Sequence, residues 1–266
     1  MKKTIVAFLF FLLMISPVLA QAQVDLISEK KSIIEEIAEV DRTYKGQLAE
    51  YRQAADQFNI AKGQFTKLNT LASLEVAVQD GRKALLLRDR VLLTYLKLIE
   101  LKLLESDGIN LEEKTIALDM TKDLQQDFQA HLDLTNNAID RVAVNQVADD
   151  FEILAPKITS LSNYVSTLLR IGKLQTIYDH SISLVEKTNP NAAGAEPSLK
   201  QNEMIRAHTE VVNLMEKIYT NLRYGWDEIR VAREKEKPID LAKSNASVFA
   251  DLSQTMLFLA EIVSKR

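Results

Sequence analysis

Apolar residues recur at helical spacing along nearly the whole chain. From about residue 25 to 67, Ile37, Tyr44, Tyr51, Phe58, Phe65 and Ala72 follow one another every seven residues, with Ile33, Val40, Leu48 and Leu68 on or beside the same stripe. A seven-residue repeat kept this long predicts a narrow seam against a neighbouring helix, with left-handed supercoiling. The aromatics could also form a ligand-binding face. Their spacing matches packing geometry, so we read them as a core stripe.

A weak break follows at 67–72, where Asn69 and Thr70 can serve as caps. The second helix runs to about residue 105 on Leu85, Leu92, Leu96, Ile99 and Leu103, and Ser106-Asp107-Gly108 ends it. Asn110 should cap a third helix, with Glu113 as its capping-box partner. Met120, Leu124, Phe128, His131, Thr135, Ala138 and Val142 form its stripe. Between Val142 and Val147 the seam shifts register, and Asn145 followed by Asp149, Asp150 and Glu152 reads as a helix start. Pro156 lies in the next apolar run, so the helix either kinks or begins there. Residues 189–197 read as an exposed loop. A fifth helix over 198–236 should bury Val211, Met215, Tyr219, Leu222, Trp226 and Ile229; Pro238 stops it, and a sixth starts at Asp240.

The predicted class is therefore all-α: about six long amphipathic helices in an elongated antiparallel bundle. Gly108-Ile109-Asn110-Leu111 and Pro238-Ile239-Asp240-Leu241 open the third and sixth helices with similar words. At that offset Leu85, Leu92, Leu96 and Ile99 fall on Met215, Leu222, Trp226 and Ile229. Duplication into two tandem three-helix units, spectrin-like in layout, is the alternative to a single bundle. The halves would be 23–143 and 144–266.

Composition narrows the class further. Only 7 Gly and 5 Pro in 266 residues argue against a turn-rich all-β protein, and against a low-complexity chain as well. The absence of Cys excludes disulfides, thiolate metal sites and thiol nucleophiles. A formal charge of -4 supplies no basic field for nucleic acid.

Residues 1–22 read as a bacterial-type signal peptide. Lys2 and Lys3 precede an apolar run at 5–19, and the small residues Ala20 and Ala22 offer two cleavage points. The run is short of the roughly 18 apolar residues a membrane helix needs. Losing Lys2 and Lys3 from the 33 basic residues would leave 31 against 37 acids, a net charge of -6. No cysteine follows the cut to carry a lipid, so the expectation is a free secreted or periplasmic chain held by packing alone.

Motifs for chemistry are sparse. None of His131, His180 and His208 has a Glu three residues before it, and no His-x-x-x-His or His-Glu-x-x-His word occurs. Phosphate-cradling and nucleophile-elbow glycine words are missing too. The expectation is no enzyme, no metal and no cofactor. Asn245-Ala246-Ser247 matches a glycosylation sequon, which a bacterial-type leader discounts.

The oddest polar feature is Arg88-Asp89-Arg90 inside a leucine-rich helix. Steps of three and four from Leu85 and Leu92 reach only Arg88 or Asp89, so a charge must fill that seam slot. Such a charge is costly unless paired. It either meets a partner on a neighbouring helix and fixes register, or faces a cleft or another protein; register is the preferred reading. His131 reads as a hydrogen-bonded seam residue. Arg88, Asp89 and His131 are thus the candidate site residues.

These features predict a scaffold, adaptor or envelope-assembly subunit acting through a protein partner or self-association. A peripheral membrane contact through the leucine-rich helix 73–105 is the alternative. A small-ligand sensor or enzyme with a site inside the bundle is the third reading.

Overall fold

The computed structural model describes the backbone of residues 2–188, 199–235, 237, 239 and 241–265, and side chains from residue 30 onward except those of 242 and 265. The side chains of the leader at 1–22, the loop at 189–197, Pro238 and Asp240 lie outside the described residues. The fold is all-α. Its helices are α1 (Lys2–Leu68), α2 (Leu71–Glu105), α3 (Leu111–Asn137), α4 (Arg141–Lys187), α5 (Leu199–Glu234) and α6 (Ala242–Lys265).

Local chemistry explains each break. Asn69 closes α1 with a φ of 48°, a left-handed conformation that Asn tolerates better than most residues. Thr70 then caps α2: its Oγ1 accepts from the Ser73 backbone N–H at 3.3 Å, while Ser73 Oγ accepts from the Thr70 N–H at 3.2 Å. Asn110 caps α3 by accepting the Glu112 N–H at 2.9 Å. The register shift falls earlier than the seam predicts. α3 ends at Asn137 and Asp140 caps α4, its Oδ1 accepting the Ala143 N–H at 2.9 Å. Asn145 therefore starts no helix, and Val142 stands off the seam at 78% exposed. Pro156 lies inside α4, so that helix does not begin there.

Two compact units divide the chain, each built from two separate segments. Unit 1 comprises residues 1–105 and 127–150, and unit 2 comprises residues 106–126 and 151–266.

In unit 1, α1 packs along α2. Tyr44 and Tyr95 rings lie 5.8 Å apart, Thr94 donates to Gln47 Oε1 at 2.7 Å, and Lys97 pairs with Glu36 at 3.6 Å. The α1 stripe is not a closed core. Tyr51, Phe58 and Phe65 are half-buried, Ala72 is exposed, and the buried positions among the described residues of α1 are Ala54 and Ala61. Small α2 residues face the stripe. A Cβ placed on Gly81 would come within 3.0 Å of the Phe58 ring. The other side of α2 meets the C-terminal part of α3, where the Arg82 guanidinium donates to the Thr135 and Asn136 carbonyls and so caps that helix end.

In unit 2, α5 packs on α6, and Leu161, Leu168, Ile171, Ile218, Leu222, Ile229 and Ile262 are almost completely buried. The buried face of α5 runs Val211, Met215, Ile218, Leu222, Gly225 and Ile229. Ile218 and Gly225 take the places expected of Tyr219 and Trp226. Tyr219 stands 52% exposed with its ring 6.3 Å from that of Tyr178, at a rim where a phenol can keep its hydroxyl in water. The turn before α3 lies directly on α4. A Cβ on Gly108 would meet the Gly172 carbonyl oxygen at 1.9 Å, so only glycine allows that approach.

Candidate functional site

Arg88, Asp89 and His131 come together in unit 1. Asp89 fills the seam slot between Leu85 and Leu92 and is completely buried. The chain reaches it from α3, where residues one turn apart share a face. His131 Nδ1 lies 2.9 Å from Asp89 Oδ2, and the Thr135 hydroxyl lies 3.0 Å from the same oxygen and 2.9 Å from the His131 carbonyl. The other ring nitrogen, Nε2, is 2.9 Å from the Val147 carbonyl on α4. Three helices are thereby tied at one point. Arg88 Nε stands 3.8 Å from Asp89 Oδ1, an ion-pair distance rather than a hydrogen bond, and Oδ1 itself has no hydrogen-bond partner among the described residues.

The geometry favours the protonated form of His131. Both ring nitrogens face acceptors, a carboxylate oxygen and a carbonyl oxygen. A neutral imidazole donates from one nitrogen only, which would leave two lone pairs opposed at the other. The imidazolium donates to both. Burial works against that charge, but the hydrogen bonds to Asp89 and Val147 and the charge of Asp89 outweigh burial and the repulsion of Arg88, holding the pKa above its ordinary 6.5. With 3% of its surface exposed and both nitrogens engaged, His131 is not placed to take a proton from a substrate. The arrangement can orient helices and store a charge.

A second polar network lies in unit 2, on the N-terminal part of α3. Glu113, buried at 5% exposure, accepts from the Tyr164 hydroxyl of α4 at 2.5 Å. It also takes both arms of Arg233 of α5, Nε at 3.2 Å and Nη2 at 3.1 Å. The Glu113 side chain is thus spent on a fork–fork pair across helices rather than on the capping box expected of it. Burial first, and then Glu113, raise the Tyr164 pKa beyond its ordinary value. Sequence reading found neither Tyr164 nor Arg233, because nothing in linear spacing joins residues 113, 164 and 233. Thr135 was within reach: it stands four residues from His131 on the same stripe.

Two concavities adjoin these networks. In unit 2 a cleft of about 890 Å3 is bordered by Tyr164, Arg233, Lys237, Glu152 and Pro156, a lining of mixed charge. In unit 1 a groove of about 470 Å3 is bordered by the half-buried aromatics of α1 and by Arg88. Among the described residues no group of three or more His, Asp or Glu is placed to hold a metal ion. His180 is exposed, with Nδ1 2.8 Å from the Thr176 carbonyl, and His208 is half-buried.

A third feature is the outer face of α6. Its inner face buries Val248, Leu252, Thr255, Leu259 and Ile262, and its two acids are engaged, Asp251 with Lys217 at 2.9 Å and Glu261 with Arg206 at 3.7 Å. Facing out are Phe249 at 62%, Leu257 at 72% and Val263 at 60% exposed, with Met256 between them and no exposed charged residue from 246 to 264.

Comparison with known proteins returns no match: no family model, no curated protein and no solved structure resembles the chain.

Proposed function

We propose that the protein is a non-catalytic helical scaffold, exported through the leader at 1–22, which assembles with a second copy of itself through the outer face of α6. The observation that carries this reading is that face. A surface helix ordinarily turns charged residues to water, and an exposed stripe of large apolar residues is ordinarily covered. Phe249, Met256 and Val263 repeat at seven residues, the spacing of a seam, with Leu257 beside them. Because the face carries no charge, two copies can meet there without like-charge repulsion.

A bilayer is the competing cover. The stretch Lys243–Ser264 is long and apolar enough to cross a membrane, with a mean hydropathy of 1.4. A third of it is already buried, and Asp251 is tied to Lys217, so insertion would have to strip the helix from α5 and strand that carboxylate. These costs favour a protein partner. Sedimentation equilibrium of the mature chain should give a dimer that Leu257→Glu converts to monomer with unchanged helical content. A monomer at every concentration, or co-sedimentation of the wild-type chain with liposomes, sinks the reading.

A further inference from the structure

The outer face of α6 is uneven in a way that selects how a second copy can sit on it. Val248, Leu252 and Leu259 mark its buried side. Opposite them, at about 3.6 residues per turn, the outermost positions are Ala246, Ala250, Ser253, Leu257, Ala260 and Ser264. All six are exposed, and Leu257 is the one large side chain among them. Phe249, Met256 and Val263 flank this line on the side away from Asp251 and Glu261, the acids paired with α5.

A single knob on a line of small residues needs a hole in whatever covers it. The same face carries one. Ala246, Phe249, Ala250 and Ser253 stand at i, i+3, i+4 and i+7, the four corners of a hole between turns, and three of the four are small. Large side chains set on small ones fill the space between helices; large on large holds the helices apart and leaves small residues facing a gap. A parallel two-fold pair would put Leu257 level with Leu257 and Ala250 level with Ala250. An antiparallel pair puts each Leu257 level with the hole of the other copy.

Building on the assembly proposed for this face, we infer that two α6 helices pair antiparallel about a two-fold axis at Ser253. Each Leu257 sits among Ala246, Phe249, Ala250 and Ser253 of the other copy. The register brings Ala246 opposite Ala260 and Ala250 opposite Leu257. It also sets Phe249 of each copy beside Met256 of the other, a ring–thioether contact. The small outer residues let the two backbones approach closely, so dispersion contacts are dense along the line. Because one patch serves both copies, the contact is isologous and closes at two: association stops at a dimer and does not run on into a filament.

The chain has no cysteine, so disulfide trapping in the full mature protein has no background. A disulfide needs Cα atoms within about 7 Å. Ser253→Cys, on the axis, should therefore trap itself as a covalent dimer on oxidation. Ala246→Cys and Ala260→Cys should each fail to self-trap, since like positions lie about 21 Å apart along the pair, yet should cross-link to one another when mixed. A parallel pair would trap all three with themselves. A second measurement exchanges knob and hole. Ala250→Leu should weaken the dimer about tenfold or more in sedimentation equilibrium, because two leucines then meet where one fits. Ala250→Leu combined with Leu257→Ala should restore it, with far-UV circular dichroism unchanged throughout. Three results overturn the antiparallel register while leaving the α6 assembly standing, provided the wild-type chain still sediments as a dimer: no self-trapping at 253, equal self-trapping at all three positions, or no rescue by the exchange. A wild-type monomer overturns both.

Discussion

One helix, α3, contributes to two buried carboxylate networks that solve the same problem with different chemistry. In unit 1 the carboxylate comes from α2, as Asp89, and α3 supplies His131 and Thr135. In unit 2 the carboxylate is on α3 itself, as Glu113, and Tyr164 and Arg233 come to it from α4 and α5. Each network joins three helices. They differ in the cation: an imidazolium titrates near neutral pH, and a guanidinium does not. Two bundles can thus be pinned at similar points yet answer differently to their surroundings.

The sharpest way to break this comparison is to remove one carboxylate. Asp89→Leu leaves the His131 ring and the Thr135 hydroxyl without their shared acceptor and takes the carboxylate charge from beside Arg88, and should cost about 3–5 kcal/mol in urea unfolding followed by circular dichroism. The double variant Asp89→Leu, His131→Leu exchanges the buried pair for apolar volume and should recover most of that loss. If the double variant is no better than the single, the network is not a paired-charge device. In unit 2, Arg233→Met should cost less, about 2 kcal/mol, because the arginine side chain is a quarter exposed and water can reach Glu113 in its place. Trp226, the sole tryptophan, reports that unit by fluorescence.

Smaller still are the matched hydroxyl deletions. Thr135→Val and Tyr164→Phe each remove one donor to a buried carboxylate and little else, and each should cost about 1–1.5 kcal/mol. Tyr164→Phe is expected toward the low end, since Glu113 keeps both arms of Arg233, whereas Asp89 has one oxygen without a hydrogen-bond partner among the described residues. The reverse order, read from urea midpoints, would show that the bidentate pair does not compensate.

These contrasts also mark how far the sequence could be read. The six helices were legible because seven-residue spacing, Thr70, Asn110 and the Ser106-Asp107-Gly108 turn act locally. Asp89 was legible for a related reason: two leucines seven apart leave a slot that a charge had to fill. What the charge would meet was not, since His131 lies 42 residues away and pairing over such distances follows from tertiary packing. Glu113 misled because its local role, a capping box, was overridden by partners 51 and 120 residues distant. The break near 140 misled because Asp140 caps α4 through its own side chain while the apolar period continues across it. A compact unit assembled from two chain segments leaves no mark in periodicity at all.

The finest test is pH. His131 has its pKa raised in the folded chain above the ordinary 6.5 that it regains on unfolding. The folded state therefore holds the proton more tightly, and the resulting stabilisation is complete below pH 6.5 and lost as pH rises through the folded value. Facing His131 are Asp89 and Arg88 from α2, Thr135 from its own helix and the Val147 carbonyl from α4. Wild-type stability, measured by urea unfolding from pH 6 upward, should decline along this branch. His131→Gln, which donates from one end only and never carries charge, should flatten the decline, whereas Arg233→Met should lower stability and leave its pH dependence unchanged. A decline that persists in His131→Gln would mean that the imidazolium is not its source, and the contrast between the two networks would then rest on geometry alone.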